Sequence, residues 1–402
     1  MEKEIRIEEG KLKVIFEIRD NGVVELKQFD PAGRADVRER KRKAEDFYPI
    51  IEVQMTGRGS RGMHAYKHNV SGGATDFTYQ RHEIVENEKG KELVIHTATE
   101  YGVKAEYHMQ FFTGVAAVQV WTVLKNEGTE AIGLEYVSSF IYQGLCQSGE
   151  KPYFEKTSVY TPHNSWDCES QWRKNDCREI NLSGMAINGF NTPGFGMNRY
   201  CYGGHSSWST CEYLPMGICE DTECKETYFF QIEHSGQWLI EYGPSTGERL
   251  YVALSGATEA EHGWWKNLKP GDIFTTVPAG FGVADGGVNE AMAELTGYRR
   301  KIRRPNEDDE KLNVVFNDYM NCLMGDPTEE KEKAIIDKAA QMGCEYYCLD
   351  CGWYDKGFWW DRVGEWKESP ERFPNTLKAV CDYAKEKGMV MGLWLEIEVM
   401  GV

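Results

Sequence analysis

A chain of 402 residues, 41% of them apolar, has room for two or three domains with sizeable cores. Its formal charge of −18 argues against nucleic acid or an anionic membrane surface as a partner. No basic segment followed by an apolar one opens the chain and no run approaches the roughly 18 apolar residues of a membrane span, while 12 cysteines over this length do not make the dense framework of a small secreted domain. A cytoplasmic protein with reduced thiols is the expectation.

Residues 1–287 read as all-β. Segments 11–18 and 23–29 flank Asp20-Asn21-Gly22, a hairpin signal. Val103, Ala105, Tyr107, Met109 and Phe111 alternate with Lys104, Glu106, His108 and Gln110, the period of a half-buried antiparallel strand. Glu86-Asn87-Glu88-Lys89-Gly90 and Lys125-Asn126-Glu127-Gly128 add turns at the spacing of a large sandwich. Aromatics make up 12% of the chain, with 12 Trp and 21 Tyr. That abundance fits either a sheet core or a surface that stacks flat apolar faces, such as those of sugars.

At Val288 the period changes. Val288, Ala291, Leu295, Tyr298 and Ile302 share one helical face, and the basic run from Arg299 to Arg304 suits the negative end of a helix dipole. Pro305 stops the helix and the polar residues 306–310 follow, so 288–310 reads as a helical linker. From Leu312 the pattern is β-α-β-α-β, with strands expected at 314–317, 345–350 and 389–398. Asp326 reads as an N-cap carboxylate, Pro327 as a first-turn residue and Glu329 as reaching back. Ile336, Ala339 and Ala340 form the buried stripe of that helix; Leu377, Val380, Cys381 and Ala384 form that of the next. Gly343 and Gly388 are the stops. Strands alternating with helices argue for a parallel sheet.

Asp350 falls at the C-terminal end of the second of these strands, the functional end of parallel α/β folds, although a turn or capping aspartate is also common there. On an extended third strand Trp394, Glu396 and Glu398 point to one side. The two glutamates need donors there, supplied by salt bridges or by the hydroxyls of a ligand. The loop after Tyr354 interleaves Phe358, Trp359, Trp360 and Trp366 with Asp355, Asp361, Arg362 and Glu365, the make-up of a polar-ligand site with stacking faces or of a packing cluster. Cys348 and Cys351 face opposite sides of a strand and cannot jointly grip a metal, so no metal or cofactor is expected. His64 and His68 are spaced i,i+4, but no helix and no third ligand is evident. No P-loop, dinucleotide fingerprint, HExxH or nucleophile elbow is present.

Asn317-Asp318-Tyr319, Leu349-Asp350-Cys351-Gly352-Trp353, Gly364-Glu365-Trp366, Phe373-Pro374-Asn375 and the stretch from Gly392 to Glu398 run in the order found in glycoside hydrolase family 36, and the C-terminal part resembles that family of α-galactosidases and α-N-acetylgalactosaminidases. The resemblance implies an N-terminal β-supersandwich, a (β/α)8 catalytic barrel and a C-terminal β domain. It also implies cofactor-free retaining hydrolysis of terminal α-linked galactose, and a homo-oligomeric full-length enzyme. Carried over, Asp350 matches the first of two adjacent aspartates that hold the O4 and O6 hydroxyls, and Trp394 matches a tryptophan of the glycone subsite. Tyr319 stands where many members have a tryptophan. Asp318 and Trp353, within the same motifs, join the expected substrate-binding set, with Glu396, Glu398, Trp359, Trp360 and Trp366 behind them. Three departures stand out: Cys351 replaces the second aspartate, Ile397 the usual proline, and Tyr319 the larger indole. An N-acetylated or amino galactose is therefore an alternative sugar.

A (β/α)8 barrel takes ~200 residues or more, and three parallel strands alone leave their edges and inner face unsatisfied. The expected fold is thus β plus α/β: a supersandwich over 1–287, the linker over 288–310, and strands 1–3 of an incomplete TIM barrel over 311–402. On this expectation the nucleophile and acid/base lie beyond Val402 and the chain by itself is inactive. From another class, a non-catalytic carbohydrate-binding protein with a self-sufficient α/β segment is the alternative.

Overall fold

The computed structural model describes residues 3–36, 48–60, 67–69, 71–183, 198–245, 249–397 and 399–401. It separates into two compact units, Met1–Arg303 and Arg304–Val402. Among the described residues no helix is long and apolar enough to cross a membrane.

The first unit is built from antiparallel sheets, the largest of 10 strands. Strand Val103–Phe112 lies within it, paired to Gly90–Ala98 on one side and Ala117–Asn126 on the other. Its alternation is the expected one: Val103, Ala105, Tyr107, Met109 and Phe111 are all buried, and each large side chain so buried contributes roughly 1.5–3 kcal/mol. A four-stranded sheet (Phe140–Leu145, Arg249–Gly256, Trp238–Ser245, Tyr200–Gly204) packs against the large one. Phe281 of the large sheet meets Phe140 at 4.4 Å between ring centroids, and Phe230 meets Tyr242 at 5.9 Å. The hairpin joins Leu12–Ile18 to Val24–Pro31, and Gly22 takes the left-handed backbone (φ 86°) that its tight turn requires.

Helix Val288–Ile302 lies on the large sheet, with Ala291, Leu295 and Tyr298 packed among Phe112, Ala117, Met216 and Phe229. It is therefore a layer of the first unit rather than the start of a free linker. Residues 306–310 differ from the expectation too. They enter a short helix, Glu307–Lys311, because the Asn306 side chain accepts from the Asp309 N–H and caps it.

The second unit holds three parallel strands in chain order, Val315–Asn317, Tyr346–Leu349 and Val390–Leu393. Helices Glu329–Gln341 and Thr376–Glu386 cover one face, burying Ile336, Ala339, Val380 and Ala384 against Tyr347 and Leu349. Two expectations are corrected. The N-cap of the first helix is Thr328, whose hydroxyl accepts from the Lys331 N–H, while Asp326 instead pairs with Lys331 and Arg372. The third strand ends at Leu393. Once the Trp394 N–H has bonded to the Leu349 carbonyl, the Val399 N–H turns back to Glu396 and the Gly401 N–H bonds to Val363. Trp394 and Glu396 therefore share no strand face, and Glu398 lies outside the described residues. On the uncovered side of the sheet Val315 (60%) and Val390 (55%) stand exposed.

Candidate functional site

Asn317, Asp350 and Trp394 sit at the C-terminal ends of the three parallel strands, brought level by a register that aligns Asn317, Cys348 and Gly392. The Asp350 carboxylate is already partly engaged. Its Oδ2 accepts from Asn317 Nδ2 at 2.7 Å and its Oδ1 from the Cys351 N–H at 2.8 Å. A carboxylate offers about four acceptor positions, so two filled positions leave room for a hydroxyl of a ligand. Asp350 is only half-buried, which leaves that position reachable.

The loop that follows is set by Gly352, which has φ 91° and lies where a Cβ would run into the Gly325 carbonyl. Beyond it the rings gather around Trp394. Trp366 and Trp359 meet it edge-on at 5.6 and 5.7 Å, Tyr354 lies nearly parallel at 6.5 Å, and Tyr319 meets Trp359 at 5.9 Å. Trp360 packs edge-on against Trp359 and stays 40% exposed. The structure thus brings Tyr319, Trp359, Trp366 and Trp394 into one aromatic cluster beside the Asn317–Asp350 pair. Glu396 is half-buried near Tyr354, whose hydroxyl feels the charge of both Glu396 and Asp350.

Three of the expected contact residues point inward. Trp353 is buried in the core of the unit, its Nε1–H donating to the Trp394 carbonyl at 3.2 Å. Cys351 is buried, and desolvation and the Asp350 charge push its thiol well up, so it is no thiolate. Asp318 is buried as well, with Oδ1 accepting from the Asp350 N–H at 2.7 Å. It supports the site from beneath.

Two features escaped the sequence reading. Asn317, quoted there only as part of a motif, orients Asp350. Arg372 is buried and staples the aromatic loop, donating to the backbone carbonyls of Asp355, Lys356 and Gly357 and to Asp326 Oδ1 at 2.6 Å. No local pattern marks an arginine whose partners lie in another loop. In the first unit His68, read only for its spacing from His64, pairs through Nδ1 with Glu241 at 2.7 Å, while His64 lies outside the described residues. Asp221, Glu223 and Cys224 are the one group of metal-type ligands among the described residues. The Lys156 ammonium already sits there, 2.6 Å from Asp221 and 3.5 Å from Glu223.

The Melibiase family model matches residues 274–402, which include this site. The α-galactosidase Mel36A of Lactobacillus acidophilus is 26% identical over 371 residues, covering 88% of this chain and 46% of that protein. The chain is similar to the α-galactosidases of glycoside hydrolase family 36. The crystal structure of α-galactosidase AgaA from Geobacillus stearothermophilus superposes with a TM-score of 0.77 at 19% identity, covering 98% of this chain and 56% of that one. A doubly substituted AgaA, solved in complex with raffinose, gives 0.76 at 18% identity over the same shares. The chain therefore spans about half the length of the relatives it matches.

Proposed function

We propose that this chain contributes the glycone-binding wall of a retaining α-galactosidase-like hydrolase acting on terminal α-linked galactose. The observation that carries the reading is Asp350: a half-buried carboxylate at a parallel strand end, oriented by Asn317 and the Cys351 amide, with an acceptor position left beside the Trp394 ring cluster. A carboxylate takes sugar hydroxyls in strong charge-assisted hydrogen bonds, and an indole stacks on the apolar face of a pyranose. The raffinose complex of a relative with the same fold supports an α-galactoside as ligand.

In this reading the first unit serves as the supersandwich. The three parallel strands serve as the first part of a (β/α)8 barrel, whose further strands cover the exposed Val315 and Val390, since parallel sheets are covered on both faces. No residue of the chain is assigned as nucleophile or acid/base. A retaining glycosidase needs two carboxyl groups about 5–5.5 Å apart, and neither Asp350 nor Glu396 matches such a role. Calorimetric titration of the chain with galactose tests the proposal. Binding should be lost on Asp350→Ala and retained on Glu365→Ala, with no release from an aryl α-galactoside. Unchanged binding by Asp350→Ala, or turnover by the chain, overturns it.

One observation favours a second sugar. Cys351 is buried and is a thiol, so the second carboxylate of the family pair has no counterpart facing the ligand. Tighter binding of galactosamine or N-acetylgalactosamine than of galactose would shift the substrate to an α-galactosaminide.

A further inference from the structure

Beneath Asp350 lies a second pair of acids for which sugar binding has no direct use. Glu332, on helix Glu329–Gln341, is fully buried, and Asp318 is 2% exposed. Tyr347 donates its hydroxyl to Glu332 Oε2 at 2.5 Å. The other oxygen, Oε1, is buried and receives no donor among the described residues, and the carboxyl group of Asp318 is its acidic neighbour. Two ionised carboxylates side by side in a buried site would only accept hydrogen bonds and would repel each other. Among the described residues no cation is paired with Glu332: Lys331, whose charge acts on it, directs its ammonium to Asp326 at 2.5 Å, and Tyr347 and Cys322 are further polar neighbours.

We propose that Asp318 and Glu332 share a single proton, and that this link makes Glu332 a positioning residue. It holds Asp318 Oδ1 on the amide of Asp350 and so aims the hydroxyl-binding carboxylate. The inference rests on the α-galactoside reading for its purpose, but not for its geometry. Asp318 is assigned as the partner that stays ionised, because the Asp350 N–H it accepts at 2.7 Å favours its charged form. Glu332 is the acid, donating to Asp318 and accepting from Tyr347. The electrostatics agree. Burial first, and then the Asp318 charge, push Glu332 up; burial is also the chief cause raising Asp318. Such pairs are how proteins keep a carboxylic acid neutral at neutral pH.

Infrared spectroscopy near neutral pH tests the shared proton. The wild-type-minus-variant difference spectrum should show a protonated carboxyl C=O band for both Glu332→Gln and Asp318→Asn, over the signal of the other buried acids, which all three proteins share; a difference spectrum without that band for Glu332→Gln overturns the inference. Hydrogen exchange of the Asp350 amide tests the positioning. Glu332→Gln still offers a donor to Asp318 and should keep wild-type protection, whereas Glu332→Ala should exchange about tenfold faster, as expected when one well-made hydrogen bond is lost. Equal protection in Glu332→Ala and wild type refutes the positioning role. If Glu332→Ala does not fold, loss of protection in Glu332→Gln refutes it instead. Should wild-type protein bind no galactose, the sugar reading falls, while the band and the exchange rates still decide this one.

Discussion

Each unit buries acid, and the two do so in opposite ways. In the first, Glu241 is completely buried on strand Trp238–Ser245, yet it is held down to about 2. Burial alone would raise it. The His68 imidazole and amide and the Tyr251 hydroxyl outweigh that cost, and the Arg199 guanidinium lies 2.9 Å from Oε2. In the second unit the buried Glu332 meets another acid and a phenol, and it is pushed up to about 8 by desolvation and then by the Asp318 charge. Depth is similar in the two places. What decides ionisation is the supply of donors: an acid given an imidazole, a guanidinium and a hydroxyl stays charged, and one given a carboxylate keeps its proton.

The comparison can be broken most directly at Glu241. Replacing it with Ala leaves the Arg199 charge without its buried partner and should cost about 3–5 kcal/mol, the usual loss when one member of a buried pair is removed. The urea midpoint of the first unit measures it; a loss below about 1 kcal/mol would mean the cluster is no ionised network.

A subtler contrast should appear with pH. Glu241 has a lowered pKa, so its contribution is present above its ordinary 4.5 and lost as pH falls toward about 2. Glu332 has a raised one, so its contribution is full below 4.5 and lost as pH rises through about 8. Hydrogen exchange followed by mass spectrometry should therefore show strand Trp238–Ser245 loosening in acid and helix Glu329–Gln341 loosening in mild alkali. Glu25 and Glu226, raised to about 7 chiefly by burial, add a slope of the opposite sign in the first unit between 4.5 and 7. Parallel behaviour of the two segments would remove the distinction.

The smallest expected effect serves as a control. Thr328→Ala removes the cap of the helix that carries Glu332 and should cost about 1 kcal/mol. Because it leaves the acid pair intact, the alkaline loosening should begin at the same pH as in wild type. A shifted onset would show that helix stability, and not the shared proton, sets the response.

Much of this molecule was legible before any coordinates, and the legible parts share a cause. The alternation from Val103 to Phe111, the Gly22 turn, the face of helix Val288–Ile302 and the placing of Asp350 and Gly352 at a strand end all follow from local preferences and periodicities carried by neighbouring residues. The parallel β/α pattern and the family motifs belong to the same class. Other features were decided by residues far apart along the chain. The third strand stops at Leu393 because, past the last ladder bond from the Trp394 amide to Leu349, the backbone turns back through Val399 to Glu396 and Gly401 bonds to Val363. Asp326 caps no helix, because Arg372, 46 positions later, pairs with it. Glu241 meets His68 across 173 positions. Trp353 and Cys351 looked like ligand contacts in a linear motif, but packing turned them inward, where an indole and a thiol are worth more in the core than at the rim. Sequence alone settled which segments become strands and helices and that the Asp350 carboxylate falls at a strand end. Only the tertiary structure decided which acids keep their charge, because that depends on the donors that folding brings to each of them.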